Sequence, residues 1–456
     1  MTNETVDNNN QIQEVLERIE AEGIEFIRVE FLDYTGITRG RTIRKSNIKS
    51  AMEKGINFSK AIVSFNMFDE MIPNGAYGTS DGDFFAVPDP TTFSVVPYRK
   101  NTARMFCDLY DIEGQPWQGC PRNKLKSLIK EVEEVLGGKV NLAYEQEAYL
   151  LEEVNSKLEP ADYSQCFSTE GLDIQEEFMQ DFVHSLEAMG VKTDQISSEY
   201  GPGQLEVNLT YADALKATDD QVTFKQLFKE VARIHGKVGT LMAKPFLDYP
   251  GSGLHVHISI YNEDGVNLFK DLDDTRDLDL SQEAYYFIGG LLKHSKSLVA
   301  IGAPTFNSYK RMQPGSWAPA HICYGDGNRS ALVRVLEKIR ERRFEFRGAD
   351  GSCNPYLFSS SLLAAGLDGV KNKIDPGDPV RDDVSDLNEV ELHSKGIEWV
   401  PRTLPEALAN LENNKVLEEV LGGSIINEFI NVKRDEADKY NKYISNWELE
   451  NTAQVF

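Results

Sequence analysis

The chain has 456 residues, 41% of them hydrophobic and 27% charged, enough to bury a large core without disulfides or structural zinc. Lys plus Arg number 48 against 73 Asp plus Glu; the formal net charge of −25 repels phosphate backbones and anionic lipid, which excludes broad nucleic-acid or membrane binding. No stretch approaches the ~18 apolar residues of a membrane span, MTNETVDNNNQ lacks the basic and apolar regions of a signal peptide, and Cys107, Cys120, Cys166, Cys323 and Cys353 form no CxxC, so a cytoplasmic protein with reduced thiols is expected.

The first ten or so residues, rich in Asn, Asp and Thr, are expected to be disordered. From Ile24 the chain alternates, with Ile27, Val29 and Phe31 on one side. Asp33-Tyr34-Thr35-Gly36 then punctuates it, and Thr38 to Ile43 alternates again, which reads as strand, turn, strand. The chain stays strand-like and Pro/Gly-punctuated to about Pro97, predicting a small β-rich N-terminal domain. Leu125, Leu128, Ile129, Val132, Val135 and Leu136 have helical spacing, ended by Gly137-Gly138. A second amphipathic helix is predicted from Asp173 to Met189. A third is predicted from about Gln221 to Ala243, with His235 on its apolar stripe as a core histidine.

Between the helices lie four short alternating segments, and side chains two apart on a strand share a face. Glu145 and Glu147 share one face of 140–151; Gln204, Glu206 and Asn208 share one face of 204–209. His255, His257 and Ser259 oppose Leu254, Val256 and Ile258, and Arg343, Glu345 and Arg347 oppose Phe344 and Phe346. Any one segment is what an ordinary half-exposed sheet looks like. Together their polar positions are mostly Glu, His and Arg, which points to one shared cavity.

Clustered carboxylates raise one another's pKa, and divalent cations remove that penalty. Many carboxylates with one or two imidazoles suit Mg²⁺ or Mn²⁺ better than Zn²⁺, and there are enough here for two metals. Guanidinium forks beside metals read as a phosphate clamp, so the set spells phosphoryl transfer. There is no Walker A motif, GxGxxG or Gly-x-Ser-x-Gly.

These residues resemble the glutamine synthetase family over nearly the whole chain. The motifs are Glu145-Gln146-Glu147, Glu199-Tyr-Gly-Pro-Gly-Gln-Leu-Glu206, Lys244-Pro245, Gly251-Ser-Gly-Leu-His255-Val-His257, Asn307-Ser-Tyr-Lys-Arg311 with Pro314-Gly315, Asn328-Arg329-Ser330 with Arg334, and Arg343-Phe-Glu345-Phe-Arg347 before Asp350 and Asn354-Pro355-Tyr356. The resemblance implies an α+β fold, with a small β-grasp N-terminal domain over 16–105 and a large glutamine-synthetase-type catalytic domain over 113–456. It also implies a homo-oligomer, a dodecamer of two stacked hexameric rings with active sites between adjacent subunits.

By the same resemblance, Glu147, Glu199 and Glu206 hold one Mg²⁺ or Mn²⁺, and Glu145, His255 and Glu345 hold another. Arg311, Arg347 and Gly251, beside Glu147, bind glutamate. Arg329, Arg334 and Arg343 contact the phosphates of ATP, His257 and Ser259 lie in the nucleotide region, and Arg329 also serves catalysis. ATP phosphorylates the γ-carboxylate of glutamate, and an amine or ammonia displaces the phosphate.

Three positions depart from the ammonia-using members. Trp317 stands where a flap glutamate follows Pro-Gly, Ser59 stands in place of an N-terminal Asp, and Pro250 replaces the Asn before Gly-Ser-Gly. Asp81 is retained, and the resemblance makes it a catalytic contribution from the neighbouring subunit. Losing two carboxylates weakens ammonium capture, while an indole suits an alkyl group or alkylammonium. The stretch from Phe344 to Gly377 resembles the type III glutamine synthetase and glutamate–methylamine ligase branch. The expected activity is therefore ligation of glutamate to a small alkylamine. Glutamine synthetase proper, a guanidino-kinase-type phosphotransferase and a non-catalytic structural relative are the alternatives.

Overall fold

The computed structural model describes residues 3–337 and 341–456. The alternation of Ile27, Val29 and Phe31 builds β1 (Phe26–Leu32), which turns back into antiparallel β2 (Thr38–Arg44). With β3 (Ile56–Ser59), β4 (Asp83–Pro88), β5 (Ser94–Val95) and β6 (Thr102–Tyr110) they form a six-stranded sheet in the order β2-β1-β6-β4-β3, with β5 on β6. β6 carries this sheet to Tyr110, beyond residue 105. Phe31, Phe58, Phe84 and Trp117 form its aromatic core, with ring centroids 4.9–6.0 Å apart.

The expected N-terminal disorder is corrected by helix α1 (Asn3–Ala21). Ile12, Val15 and Ile19 are buried at helical spacing, a periodicity invisible in the first ten residues alone. Helix α2 (Lys45–Lys54) also packs on this sheet.

Helix α3 (Pro121–Leu136) opens the larger domain as predicted, with Pro121 in its first turn and Gly137 closing it at φ 72°. The predicted second helix is two, α4 (Thr169–Ile174) and α5 (Glu176–Ala188), broken at Gln175. The third, α6 (Ala214–Ile234), starts earlier than expected because the Asp213 carboxylate accepts the Leu215 N–H as a cap. It ends earlier because Gly236 (φ 69°) turns the chain, and β12 (Val238–Thr240) pairs with β7 instead of extending the helix. His235 therefore lies at the helix end, half-buried, 2.9 Å from Asp181, and not in the core.

Among the described residues the sheet of the larger domain has eleven strands: β7 (Lys139–Val154), β8 (Lys157–Pro160), β9 (Thr193–Ser198), β10 (Gln204–Leu209), β11 (Ala212–Asp213), β12, β13 (Leu254–Tyr261), β14 (His321–Asp326), β15 (Ala331–Val335), β16 (Phe344–Ala349) and β17 (Glu398–Trp399). Its main path runs β17-β14-β15-β16-β13-β7-β10-β9. The four alternating segments read from sequence are thus the consecutive neighbours β16, β13, β7 and β10. Helices α6, α7 (Gln282–Gly302) and α9 (Pro355–Asn372) cover the apolar face. Tyr144 Oη lies 2.9 Å from Thr218 Oγ1 on α6 and 2.5 Å from Ser359 Oγ on α9, and Phe346 packs against Phe358. Burying each such aromatic or aliphatic side chain contributes about 1.5–3 kcal/mol. Among the described residues no helix is long and apolar enough to cross a membrane, and all five cysteines are free.

The two domains interlock. Arg122 is buried and forks onto Asp219 at 2.8 and 3.0 Å, while Nη1 reaches Asp108 at 2.7 Å and Asp89 at 2.9 Å. Asn354 Nδ2 donates to Asp33 O at 2.7 Å. The N-terminal loop at 64–76 is latched to the helix Gly423–Asn441: Ser64 Oγ and the Ala76 N–H donate to Glu428, and the Met67 N–H donates to Glu436.

Candidate active site

Strand pairing brings the polar faces into one surface. Glu345 stands opposite His257, His255 opposite Glu145, Asn208 opposite Glu145, and Glu206 opposite Glu147. His257 Nε2 lies 2.9 Å from Glu145 Oε1 and 3.1 Å from Glu345 Oε2, so Glu145, His257 and Glu345 can offer ligand atoms within 4.8 Å of one another. His255, expected to hold an ion with Glu145 and Glu345, is at hand on the same face: Nδ1 is 3.6 Å from Glu145 and Nε2 is 3.8 Å from Glu147. Alternation places both histidines on one face and cannot rank them.

The charges are held by their neighbours. Glu345 is fully buried; burial alone would raise its pKa, but Arg347, whose Nη1 donates at 2.6 Å, and His257 hold it well below the usual carboxylate range. Arg334 Nη1 adds a second donor to Glu345 at 3.3 Å. Burial opposes ionisation of Glu145 too, and His257 overrides it and keeps the pKa low. His257 is pushed down by burial and up, to about 9, by Glu145 and Glu345. His255 is lowered by burial and by Arg347.

Glu199, on the turn after β9, is raised to about 7 by burial and Glu147. Glu206 is raised to about 8 by burial, Glu147 and Glu145. Arg and His thus favour the ionised forms of Glu145 and Glu345, while burial and neighbouring carboxylates favour the protonated forms of Glu199 and Glu206.

Both ring nitrogens of His255 are buried without a hydrogen-bond partner. An unsatisfied imidazole among five carboxylates is the environment a hard divalent cation fits. Glu145, Glu345, His255 and His257 on one side, and Glu147, Glu199 and Glu206 on the other, could hold such ions.

A cleft of about 790 Å³ opens over this surface, lined by His257, Ser259, Arg329, Arg334 and Arg343, the five residues expected at the nucleotide. Arg343 Nε donates to His257 Nδ1 at 3.3 Å, and Ser259 faces Asn141 across the strand pair. The sequence reading left Asn141, Asn208 and Tyr211 out of this lining. Asn208 was signalled by its alternation with Glu206. Tyr211, just beyond β10, had no such signal.

Arg311 is buried at the end of α8 (Ser308–Arg311), donating to Ala349 O at 3.1 Å and Arg347 O at 3.4 Å. Glycines make room for it: a Cβ at Gly251 would lie 2.7 Å from Arg311 Cγ, and one at Gly253 would overlap Arg311 Nη2 and come 2.9 Å from His255 Nε2. Glu147 Oε2 accepts the Gly253 N–H at 2.7 Å, and Gln204 Nε2 donates to Gly251 O at 3.0 Å.

Two expected participants stand apart. Trp317 is on an exposed flap, attached through its carbonyl, which accepts Arg347 Nη2 at 3.3 Å. Asp81 is on an exposed N-terminal loop, where its carboxylate accepts the Gly78 N–H.

Residues 118–452 match the family described as glutamine synthetase, catalytic domain, and residues 10–117 match the glutamine synthetase N-terminal domain. The chain is 36% identical over 450 residues to the glutamine synthetase of Halobacterium salinarum, covering 97% of this chain and 96% of that protein. It is 35% identical over 444 residues to the glutamate–methylamine ligase of Methyloversatilis universalis, covering 95% and 97%. Among solved structures, a GmaS/ADP complex superposes with a TM-score of 0.86 at 32% identity, over 96% of this chain and 99% of that one.

Proposed function

Because the chain belongs to the glutamine synthetase family, we propose that it is an ATP-dependent ligase joining the γ-carboxylate of glutamate to a small alkylamine. The observation that carries the acceptor is Trp317, whose backbone carbonyl accepts Arg347 Nη2 and whose indole stands on the flap where an ammonium-binding carboxylate is expected. A π face attracts a cation and covers a methyl group, and it does not replace a carboxylate for ammonium.

The chemistry divides between two groups of residues. Glu145, His255, His257 and Glu345, with Glu147, Glu199 and Glu206, would hold Mg²⁺ or Mn²⁺, which when bound neutralises charge on the phosphates. Arg311 and Arg347 bind the carboxylates of glutamate through guanidinium forks. Arg329, Arg334 and Arg343 line the cleft and stabilise charge as the γ-phosphoryl passes from ATP to the γ-carboxylate oxygen, releasing ADP. The amine nitrogen then attacks the acyl carbon, phosphate leaves, and the nitrogen loses a proton. The flap shields the acyl phosphate from water. The same reading makes the protein a ring-shaped homo-oligomer in which Asp81 of one subunit reaches its neighbour's site.

The test is ADP release with glutamate and ATP across ammonia, methylamine, ethylamine, ethanolamine and a diamine. The highest kcat/KM is expected for a small alkylamine; a highest value for ammonia makes the protein a glutamine synthetase with an altered flap.

A further inference from the structure

The flap is fixed to the floor of the site at two adjacent residues. Ser316 Oγ donates to Arg311 O at 2.8 Å, and Arg347 Nη2 donates to Trp317 O at 3.3 Å. Trp317 itself has φ 62°, a left-handed conformation that is unfavourable for a bulky side chain. Its place is therefore imposed by these anchors and not by local preference.

So placed, the indole lies over Tyr200, with ring centroids 6.4 Å apart and planes 29° from parallel. Tyr200 follows Glu199 on the turn between β9 and β10. That turn is also held firmly: the Glu199 N–H donates to Gln204 O at 2.8 Å and the Gly201 N–H donates to Gln204 Oε1 at 2.9 Å. Two independently anchored elements thus bring two aromatic faces together, one of them on the residue that follows Glu199. Yet Tyr200 and Trp317 remain 61% and 71% exposed as residues, so the pair does little to bury itself.

We infer that Tyr200 is a specificity-determining residue, the second wall of the acceptor site, which with Trp317 receives the alkyl group of a small alkylammonium. This rests on the alkylamine reading above. Two near-parallel π faces attract an organic cation, and a substituent of one or two carbons covers apolar ring surface that ammonium leaves wet. Neither ring selects against ammonium by charge; the discrimination comes from the covered carbon.

The experiment compares ammonia, methylamine and ethylamine in wild type, Tyr200→Ala, Tyr200→Phe and Trp317→Ala, at saturating ATP and glutamate. Tyr200→Ala is expected to lower the alkylamine-to-ammonia ratio of kcat/KM roughly tenfold, equivalent to about 1.4 kcal/mol. Tyr200→Phe, which keeps the π face, retains the wild-type ratio. KM for glutamate and ATP stays close to wild type in both. If Tyr200→Ala leaves the ratio unchanged while Trp317→Ala lowers it, the role of Tyr200 is overturned and the alkylamine reading stands. A uniform loss with all acceptors in Tyr200→Ala marks a structural role and also overturns it. If wild type prefers ammonia, the alkylamine reading itself falls, and this inference with it.

Discussion

Glu147 and Glu206 stand directly opposite each other on neighbouring antiparallel strands, a pairing that two ionised carboxylates resist. Burial and this proximity raise Glu206 to about 8, and Glu199 beside them to about 7. The folded protein without metal therefore binds more protons than the unfolded chain between the free carboxylate pKa and about pH 8. Stability accordingly falls as pH rises through that window. His257, raised to about 9, acts in the same direction above its free value. The groups facing Glu206 are Glu145 and Glu147 on β7, Glu199 after β9 and Glu345 on β16. In EDTA, Tm should drop from pH 5 to pH 8; saturating Mg²⁺ or Mn²⁺ should remove most of the drop. A flat or rising Tm in EDTA contradicts the assignment.

Glu345 accepts from both Arg334 and Arg347 while fully buried. Glu345→Ala should destabilise the fold by roughly 3–5 kcal/mol, because two guanidiniums lose their buried partner. Glu345→Gln keeps an acceptor and should fold near normally, yet lose at least about a thousandfold in kcat through the missing charge at the phosphoryl site. Chemical denaturation and ADP release measure the two effects separately. Near-normal turnover of Glu345→Gln at saturating Mg²⁺ would place the metal elsewhere.

Gly253→Ala puts a methyl into Arg311 and against His255. Overpacking of this kind costs about 1–3 kcal/mol, and here it displaces the guanidinium proposed to hold glutamate. KM for glutamate should rise at least about tenfold with a smaller change in KM for ATP. Equal changes in both would mean that Arg311 does not read the amino acid.

Trp317→Glu restores a carboxylate on the flap. The preference for alkylamine over ammonia should shift towards ammonia by roughly tenfold to a hundredfold, the combined size of a cation–π contact and a covered methyl. An unchanged preference removes Trp317 from the acceptor site.

Asp81 lies on an exposed loop of its own chain, so its contribution is expected in a neighbour. Asp81→Ala and Arg347→Ala subunits, dissociated and reassembled together, should recover up to about a quarter of wild-type activity, as expected for heterologous sites shared in a ring. Verified mixing without recovery rules out a shared site.

The polar face of the candidate site was legible because a strand's period of two sorts side chains without knowledge of the fold. Glu145 with Glu147, Glu206 with Asn208, and Glu345 with Arg347 all lie where alternation put them. Register between strands was not legible. The pairing slips between Leu254 and Val256 on β13, and Glu345 meets His257, a detail that no periodicity contains. Helix ends failed where side-chain chemistry outranked spacing: the Asp213 cap started α6 early, and the left-handed Gly236 ended it before Val238 and Leu241 could continue the stripe. Trp317 was identified by type, but its stacking on Tyr200 joins segments that sequence alone leaves unrelated.

The latch between the N-terminal loop and the helix Gly423–Asn441 also sets an order of events during biosynthesis. Ser64 and Met67 leave the ribosome long before their acceptors, since Glu428 follows Ser64 by 364 residues and Glu436 follows Met67 by 369. N-terminal domains otherwise tend to fold as they emerge. Here the loop leading to Asp81 stays unfastened until translation is almost complete. A truncated chain could form both sheets and still leave this loop unfastened, so the latch makes completion of the N-terminal domain depend on possession of the C-terminal helix.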